Sequence, residues 1–159
     1  MPTKLKVYVE TTIPSYITSR LSRDVIVLAH QQITSQWWEN DKNKNEYYIS
    51  PVVLEEIEKG DLLLAKERLN FVKDFTKLEM NDEIEFLGGK YFKELSLPQK
   101  AIPDAFHLAF CVSHKMDILL TWNCTHLANE SKRRLIQKIN IKLRKETPLI
   151  CTPEELIGE

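Results

Sequence analysis

Residues 101–129 read AIPDAFHLAFCVSHKMDILLTWNCTHLAN, and their pattern decides the class of fold. Pro103 and Asp104 stand where a helix is expected to begin, because an acid is favoured in the first turn of a helix. This helix is expected to continue to about Lys115. Residues 118–121 then form a compact apolar run, which is typical of a strand covered on both faces. A helix that leads into such a strand predicts an α/β fold.

The rest of the chain alternates in the same way. Short runs rich in β-forming residues are separated by helical patterns, at 5–10, 47–49, 77–80 and 147–151. Ser22 and Ser50 are expected to cap two of the helices, the second of which ends at Gly60. A further helix over 82–95 is expected to be interrupted or to end near Gly88. Alternating strands and helices predict a largely parallel sheet with right-handed crossovers.

Length and composition describe an ordinary globular chain. Its 159 residues are expected to form a single domain over residues 1–159. The formal net charge of −1 gives no overall basic field, so a nucleic acid would have to bind a local basic patch. Three cysteines without a framework spacing predict reduced thiols and a cytoplasmic location. No apolar run is long enough to span a bilayer, and Met1-Pro2-Thr3 leads straight into a strand, so neither a membrane anchor nor a signal peptide is expected.

Polar side chains stand where predicted strands end or helices begin. Glu10 follows the first strand, Asp104 starts a helix, and Asn123 lies just beyond the strand at 118–121. In open parallel sheets, sites form outside the carboxyl ends of the strands. Each acid alone also has a plainer explanation, because Asp104 can stabilise a helix N-terminus and Glu10 can mark the exit of a strand into solvent.

Helical geometry separates the neighbouring Glu55 and Glu56. At about 100° per residue, the apolar arc of their helix includes Val53 and Ile57, with Glu55 opposite the arc and Glu56 on its flank. Glu56 is the better site candidate, because a carboxylate near the core boundary needs an ion partner or a metal. Clustered carboxylates offer the hard oxygen ligands that Mg²⁺ and Mn²⁺ accept, and such ions activate water for cutting a phosphodiester.

Two motifs in the first half of the chain resemble those of the PIN-domain family, in particular the VapC-like toxin ribonucleases of bacteria and archaea. VYVETTIPSY, at 7–16, resembles the first-strand motif, in which an acid is followed two residues later by Ser or Thr, here Thr12. SPVVLEEIEKG, at 50–60, is similar to the second motif, a helix with a Glu just before an apolar residue, here Glu56.

The most specific part of the resemblance is the stretch at 101–129. It resembles the family's Asp-Ala-hydrophobic-His-hydrophobic-Ala helix, in which Asp104 aligns with the opening acid. A strand that ends in Thr-x-Asp follows in the family, and Thr121 and Asn123 align with that strand end. The three motifs occur in the family's order, and the span from the first to the last, residues 7–129, takes in most of the chain.

The resemblance implies a three-layer α/β/α PIN-like fold with a mostly parallel central sheet, a divalent-metal site and endoribonuclease activity on RNA. The implied ligands of Mg²⁺ or Mn²⁺ are Glu10, Glu56 and Asp104. Asn123 would position water or a substrate oxygen. The hydroxyls of Thr12 and Thr121 would support the carboxylates by hydrogen bonding. For VapC-like members the resemblance also implies a cognate antitoxin and frequent homodimers.

Two positions depart from the family pattern. The first acid is usually Asp, whereas Glu10 is one methylene longer, and Mg²⁺ with its near-octahedral geometry is sensitive to such a displacement. The fourth acid is replaced by the neutral Asn123, so three carboxylates remain, which suits one ion better than two. The alternative function is a catalytically weak or inactive PIN-like module that binds RNA or a partner protein.

The helix that begins near Asp104 also allows a zinc interpretation. Asp104, His107, Cys111 and His114 fall on one helical stripe, but ten residues at about 1.5 Å each span roughly 15 Å. One zinc ion with ligands about 2 Å away cannot use the whole stripe, although His107 with Cys111 stays open as a partial set. His107 is otherwise expected to pack under the site and to hydrogen-bond to backbone or to an acid.

Two further features leave alternatives open. Trp37-Trp38 would stack on a nucleic-acid base, pack in the fold or serve a dimer interface. The basic residues that follow Asn123 form either a solvated face or a contact with RNA phosphates, with Arg133, Arg134 and Lys138 as the candidate RNA-binding residues.

Overall fold

A parallel sheet lies at the centre of the fold. The computed structural model describes residues 3–157, so Met1, Pro2, Gly158 and Glu159, which the expected single domain includes, lie outside the described residues. The strands of the sheet are β1 Lys6–Val9, β2 Glu46–Ile49, β3 Thr76–Lys77, β4 Ile118–Leu120 and β5 Leu149–Cys151. Their order is β3-β2-β1-β4-β5, and each neighbouring pair is parallel. The expected sheet is confirmed, and β1 lies in its middle.

Helices cover both faces of the sheet. They are α1 Thr12–Thr18, α2 Val25–Asp41, α3 Pro51–Ile57, α4 Leu62–Val72, α5 Asp82–Glu94, α6 Ile102–Ser113, α7 Glu130–Lys142 and α8 Pro153–Leu156. Helix α1 contacts α2 and α4, and α2 contacts α8, whereas α5 contacts α6 and α7. These two groups flank the sheet and form the expected three-layer α/β/α architecture. None of the helices within residues 3–157 is long and apolar enough to cross a membrane.

The register of the sheet aligns the residues that leave it. All side chains of β1 after Lys6 are fully buried, as expected for a strand covered on both faces. Val9, the last residue of β1, pairs with Leu120 of β4. The residues that follow, Glu10 and Thr121, therefore leave the sheet side by side at its carboxyl edge.

The start of the long helix α2 differs from the expectation. Asp24, not Ser22, is the N-cap, because its carboxylate accepts the N–H groups of Ile26 and Val27, each at 3.0 Å. The Ser22 hydroxyl instead accepts the N–H of Asp24 at 3.0 Å, which turns the chain just before the helix. Both side chains are good helix caps, so the sequence alone does not choose between them.

Helix α5 runs without interruption, so the break expected near Gly88 is wrong. Gly88 is buried in the contact between α5 and α6. A Cβ atom at this position would lie 2.6 Å from ring carbons of Phe106 in α6. Gly88 therefore permits close approach of two helices, a tertiary role that helix propensity does not reveal.

Gly88→Ala is expected to lower the free energy of unfolding. The steric overlap with Phe106 costs about 1–3 kcal/mol, which exceeds the gain of up to about 1 kcal/mol that alanine brings to a helix interior. The matched control is Gly89→Ala, because the neighbouring glycine is exposed and an added Cβ would meet no surrounding atom within 4 Å. We expect the control to be stabilising in urea unfolding. Equal stabilisation by both alanines would contradict the close approach of α5 and α6.

Candidate metal centre

Glu10 lies at the carboxyl edge of the sheet, directly after β1. Its side chain is only 3% exposed, and its N–H donates to the Leu120 carbonyl at 3.1 Å, which continues the pairing of β1 with β4. The carboxylate oxygen Oε1 accepts three hydrogen bonds, from the N–H of Thr12 at 3.0 Å, the Thr12 hydroxyl at 2.5 Å and the Thr121 hydroxyl at 2.7 Å. The two threonines thus lie where the sequence predicts supporting hydroxyls.

Backbone groups fix the direction in which these hydroxyls donate. The Thr12 hydroxyl accepts the N–H of Trp122 at 2.9 Å, and the Thr121 hydroxyl accepts the N–H of Asn123 at 2.9 Å. Each hydroxyl has one proton, which is therefore free to point at Glu10. All hydrogen bonds recorded for this carboxylate within residues 3–157 end on Oε1. The second oxygen, Oε2, is therefore available to a ligand.

Glu56 is brought to the same edge by helix α3. Ser50 and Pro51 start this helix as expected, because the Ser50 hydroxyl accepts the N–H groups at its first turn. The Glu56 side chain is 26% exposed, whereas Glu55 faces solvent, as the helical phase predicts. Oε1 of Glu56 accepts the Thr11 hydroxyl at 2.6 Å and lies 2.6 Å from Nε2 of His107.

His107, in α6, lies beneath the carboxylates and is completely buried. Besides the contact of Nε2 with Glu56, its Nδ1 lies 2.7 Å from the hydroxyl of Tyr8. That hydroxyl lies 2.7 Å from the hydroxyl of Ser50. The hydrogen bond to an acid that the sequence allows for His107 is thus present, and the acid is Glu56.

Asp104 and Asn123 form the third part of the site. Asp104 lies in the first turn of α6. Burial raises the pKa of Asp104, and the charge of His107 and a hydrogen bond from the Asn123 side chain act in the opposite direction. The Asn123 oxygen Oδ1 already accepts the N–H of His126 at 3.0 Å. The side-chain donor that Asn123 has left is Nδ2, because an amide side chain donates only through its nitrogen.

Three carboxylates and one imidazole share this region, and their pKa values reflect it. Burial raises the pKa of Glu10, although the charge of His107 and hydrogen bonds from two threonines act against it. Burial would also raise the pKa of Glu56, but the hydrogen bond and the charge of His107 outweigh it and lower the pKa. Burial disfavours the charged form of His107, yet the hydrogen bond to Glu56 and the charges of Glu10, Glu56 and Asp104 raise its pKa.

The donor atoms suit a hard divalent cation. Glu10, Glu56 and His107 each offer one ligand atom, and these atoms lie within 4.8 Å of one another. The Asp104 carboxylate does not belong to this group, although its charge acts on His107 from nearby. A set dominated by carboxylate oxygens fits Mg²⁺ or Mn²⁺ better than the softer metals.

The zinc stripe does not assemble. No cysteine among residues 3–157 joins a group of three potential metal ligands. Cys111 is fully buried, and burial raises its pKa well above the ordinary value, which keeps the thiol protonated. Nε2 of His114 lies 2.8 Å from the Glu79 carbonyl oxygen. Of the four residues of the zinc stripe, only His107 therefore belongs to the group of potential ligands with Glu56 and Glu10.

The three candidate RNA-binding residues differ in their surroundings. Arg133 joins α7 to the C-terminal part of the fold, because Nε donates to the Ile150 carbonyl at 2.9 Å and Nη2 to Glu155 at 3.2 Å. Arg134 is 76% exposed and forms an ion pair with Glu130 at 3.2 Å. Lys138 lies beside an open apolar groove on α7. The structure thus gives Arg133 a structural role in addition to its charge.

Both tryptophans of α2 pack within the fold. Trp37 is 1% exposed, and its ring meets Tyr47 edge to face. Trp38 is partly buried and packs on three rings, those of Tyr47, Phe71 and Phe75. This packing accounts for the Trp37-Trp38 pair without a nucleic-acid base.

Two residues of the site are not singled out by the sequence. Thr11 bonds Glu56, but only its neighbour Thr12 matches the family's first motif. The pair Thr11-Thr12 just after β1 is the sequence feature that indicates a second hydroxyl near the carboxylates. Tyr8 reads as an ordinary core residue of a buried strand, and its bond to His107 joins residues 99 positions apart in the chain. No local pattern predicts that contact.

Comparisons with known proteins bear on the fold. No family model and no curated protein matches the chain. Among solved structures, it is similar to VapBC2 from Rickettsia felis bound to a DNA fragment from their promoter, at 15% identity over 93% of this chain and 98% of that chain, with a TM-score of 0.58. It is also similar to VapBC-1 from nontypeable Haemophilus influenzae, at 12% identity over 94% of this chain and 99% of that chain, with a TM-score of 0.58.

At such low identities the similarity is one of fold. It extends over nearly the whole of this chain and of the chains it matches. The chain therefore has the three-layer PIN-like fold, and its resemblance to VapC-like PIN domains is confirmed at that level.

Proposed function

We propose that this protein is an Mg²⁺- or Mn²⁺-dependent endoribonuclease that cuts RNA phosphodiesters as the toxin of a toxin–antitoxin pair. The observation that carries the proposal is the meeting of Glu10, Glu56 and His107 within 4.8 Å at the carboxyl edge of the sheet, with Asp104 nearby. Buried carboxylates are costly unless they are paired or bind a cation. An active site explains why several of them gather at one edge.

The proposed metal ligands are Glu10, Glu56 and Asp104. In both glutamates, Oε1 accepts the hydrogen bonds from neighbouring threonines and, at Glu56, from His107. The Oε2 atoms of Glu10 and Glu56 are therefore the proposed ligand atoms. A bound Mg²⁺ or Mn²⁺ would supply a water of lowered pKa and stabilise charge on the phosphate. The threonine hydroxyls keep each carboxylate in one orientation, which is the part of the chemistry that the chain itself performs.

Asn123 is proposed to act through its nitrogen. Since Oδ1 accepts the His126 N–H, Nδ2 is the side-chain atom proposed to face Asp104 and to donate to a substrate oxygen. Phosphate contacts are proposed for Arg134 and Lys138 on α7, whereas Arg133 contributes charge from a fixed position. Phosphate contacts supply most of the non-specific affinity for nucleic acids.

The proposed partner is a cognate antitoxin. Both solved structures described above are of VapBC proteins, one of them bound to promoter DNA, which supports such a partner for this chain. A homodimer and a cytoplasmic location are proposed on the same resemblance, and three free cysteines agree with a reducing compartment.

Metal removal tests the proposed activity. We expect purified protein to cleave RNA with added Mn²⁺ or Mg²⁺, to lose cleavage in EDTA, and to regain it when the metal is restored in excess of the chelator. The measurement is the appearance of 5′-labelled fragments from a long single-stranded RNA. Cleavage that persists in EDTA would contradict the proposal.

A second outcome would favour the alternative of a non-catalytic PIN-like module. The observation behind that alternative is Asn123, which is neutral and whose only oxygen is engaged by backbone. RNA or antitoxin binding without cleavage at any metal concentration would establish the binding module and exclude the nuclease.

A further inference from the structure

A buried row of hydrogen bonds runs from the start of α3 to the candidate metal centre. The Ser50 hydroxyl lies 2.7 Å from the Tyr8 hydroxyl, which lies 2.7 Å from Nδ1 of His107. Nε2 of the same ring lies 2.6 Å from Oε1 of Glu56. Ser50, Tyr8 and His107 are each 0% exposed, so no water competes for these bonds. The row therefore connects the protein interior to one carboxylate.

The donors and acceptors available determine the direction of the last hydrogen bond in this row, between His107 and Glu56. An ionised carboxylate only accepts, so Nε2 of His107 carries the proton and donates to Oε1. The direction of the bond between Tyr8 and His107 depends on the second ring proton, but the donation to Glu56 does not. Ser50 also accepts backbone N–H groups of α3, which fixes its place at the start of that helix. The ring of His107 is thus held by its own helix, α6, and by Tyr8 of β1, which in turn contacts Ser50, the N-cap of α3.

Among the residues that the structure describes, the partners of the Glu56 carboxylate all contact one oxygen, Oε1. His107 donates to Oε1 from below, and the Thr11 hydroxyl donates to the same atom at 2.6 Å. Two donors on Oε1 restrict the rotation of the side chain and leave Oε2 on the other side. The Glu10 carboxylate is held in the same way, with three donors on its Oε1. Both acids therefore present a second oxygen, Oε2, that no residue within 3–157 engages by a hydrogen bond.

We propose that His107 is a positioning residue, held by Tyr8, which orients Glu56 for a divalent cation and does not itself bind the metal. This inference rests on the metal site of the proposed function and extends it to residues behind the ligands. Direct ligation would require Nε2 to lose its proton and turn its lone pair away from Glu56. The ring is fully buried and pinned at both nitrogens, so it has no freedom to do so. Groups in this position commonly change metal affinity by about 10–100-fold when they are removed.

The test is Mn²⁺ affinity, measured without RNA by the electron paramagnetic resonance signal of the free ion. His107→Leu is expected to weaken binding by about 10–100-fold. His107→Gln is expected to recover part of this loss, because its amide nitrogen can donate from near the place of Nε2. Tyr8→Phe removes only the hydroxyl group and is expected to weaken Mn²⁺ binding by about tenfold.

Tyr91→Phe is the matched control. Tyr91 is also fully buried, and its hydroxyl donates to Asn140 at 2.5 Å on another part of the fold. We expect its Mn²⁺ affinity to equal that of the parent protein, even though it also loses a buried hydrogen bond. Equal affinities of Tyr8→Phe and Tyr91→Phe would overturn the proposal. This comparison remains decisive if the His107→Leu variant fails to fold.

A spectroscopic measurement separates positioning from ligation. Electron spin-echo modulation of bound Mn²⁺ detects a directly coordinated imidazole nitrogen. We expect no such coupling in the parent protein, and a coupling that disappears in His107→Gln would overturn the positioning role in favour of ligation. Because the readout is metal binding, a protein that binds Mn²⁺ as expected but cuts no RNA would refute the nuclease function and leave this inference standing.

Discussion

Glu56→Gln is expected to reduce RNA cleavage by at least about a hundredfold while leaving the fold intact. The glutamine oxygen can still accept from Thr11 and His107, so the hydrogen bonds of Oε1 survive. The substitution removes the negative charge and replaces Oε2 by an amide nitrogen that cannot bind a cation. Metal ions stabilise developing charge by several kcal/mol, and each 1.36 kcal/mol lost from that stabilisation is a factor of about ten in rate.

Glu55→Gln is the control for this experiment, because Glu55 is the neighbouring acid on the exposed side of the same helix. Its cleavage rate is expected to match the parent rate. In urea, Glu56→Gln should unfold somewhat earlier than Glu55→Gln, because the ionised Glu56 that it replaces is stabilised by His107 in the folded state. If Glu56→Gln cuts RNA as fast as Glu55→Gln, the assignment of Glu56 as a ligand is wrong.

Glu10→Gln is expected to have two large effects in opposite directions. It should abolish detectable Mn²⁺ binding, because the unengaged oxygen of a ligand is lost. It should also stabilise the metal-free protein at neutral pH. Burial raises the pKa of Glu10 in the folded state, so ionisation of this carboxyl group costs stability. The amide is neutral and keeps an oxygen that accepts from Thr12 and Thr121.

The sign of the pH dependence follows from linkage. Since the folded pKa of Glu10 lies above the unfolded value, the parent protein loses stability from this group as pH rises from about 4.3 through the folded pKa. The gain from Glu10→Gln should therefore be absent below about pH 4 and full above the folded pKa. Urea midpoints in EDTA across this range measure it. Exposed Glu58→Gln should show no such trend, and a parallel trend in both variants would contradict burial as the cause.

The sequence predicts the class of fold and singles out most residues of the candidate site, for identifiable reasons. The strands of the sheet are short and buried on both faces, so they appear as apolar runs that need no knowledge of tertiary contacts. Glu56 is separated from Glu55 by helical phase, which is a local property. The parallel order of the strands then places Glu10 and Thr121 at one edge.

Features that depend on contacts between distant elements are not visible in the sequence. Gly88 reads as a helix breaker, and only the ring of Phe106 across the helix pair shows why it is a glycine. The amide of Asn123 offers both a donor and an acceptor, and the turn to His126 decides which of them remains. Arg133 looks like part of a basic face until Ile150 and Glu155 are placed beside it.

The bond between Glu10 and Thr121 also bears on when the candidate centre can form during synthesis of the chain. These residues are 111 positions apart, and β4 must pair with β1 before the hydroxyl can reach the carboxylate. A ribosome has to synthesise more than three quarters of the 159 residues before the first acid of the chain acquires this partner. Nascent chains and fragments that stop before residue 121 therefore lack the completed centre.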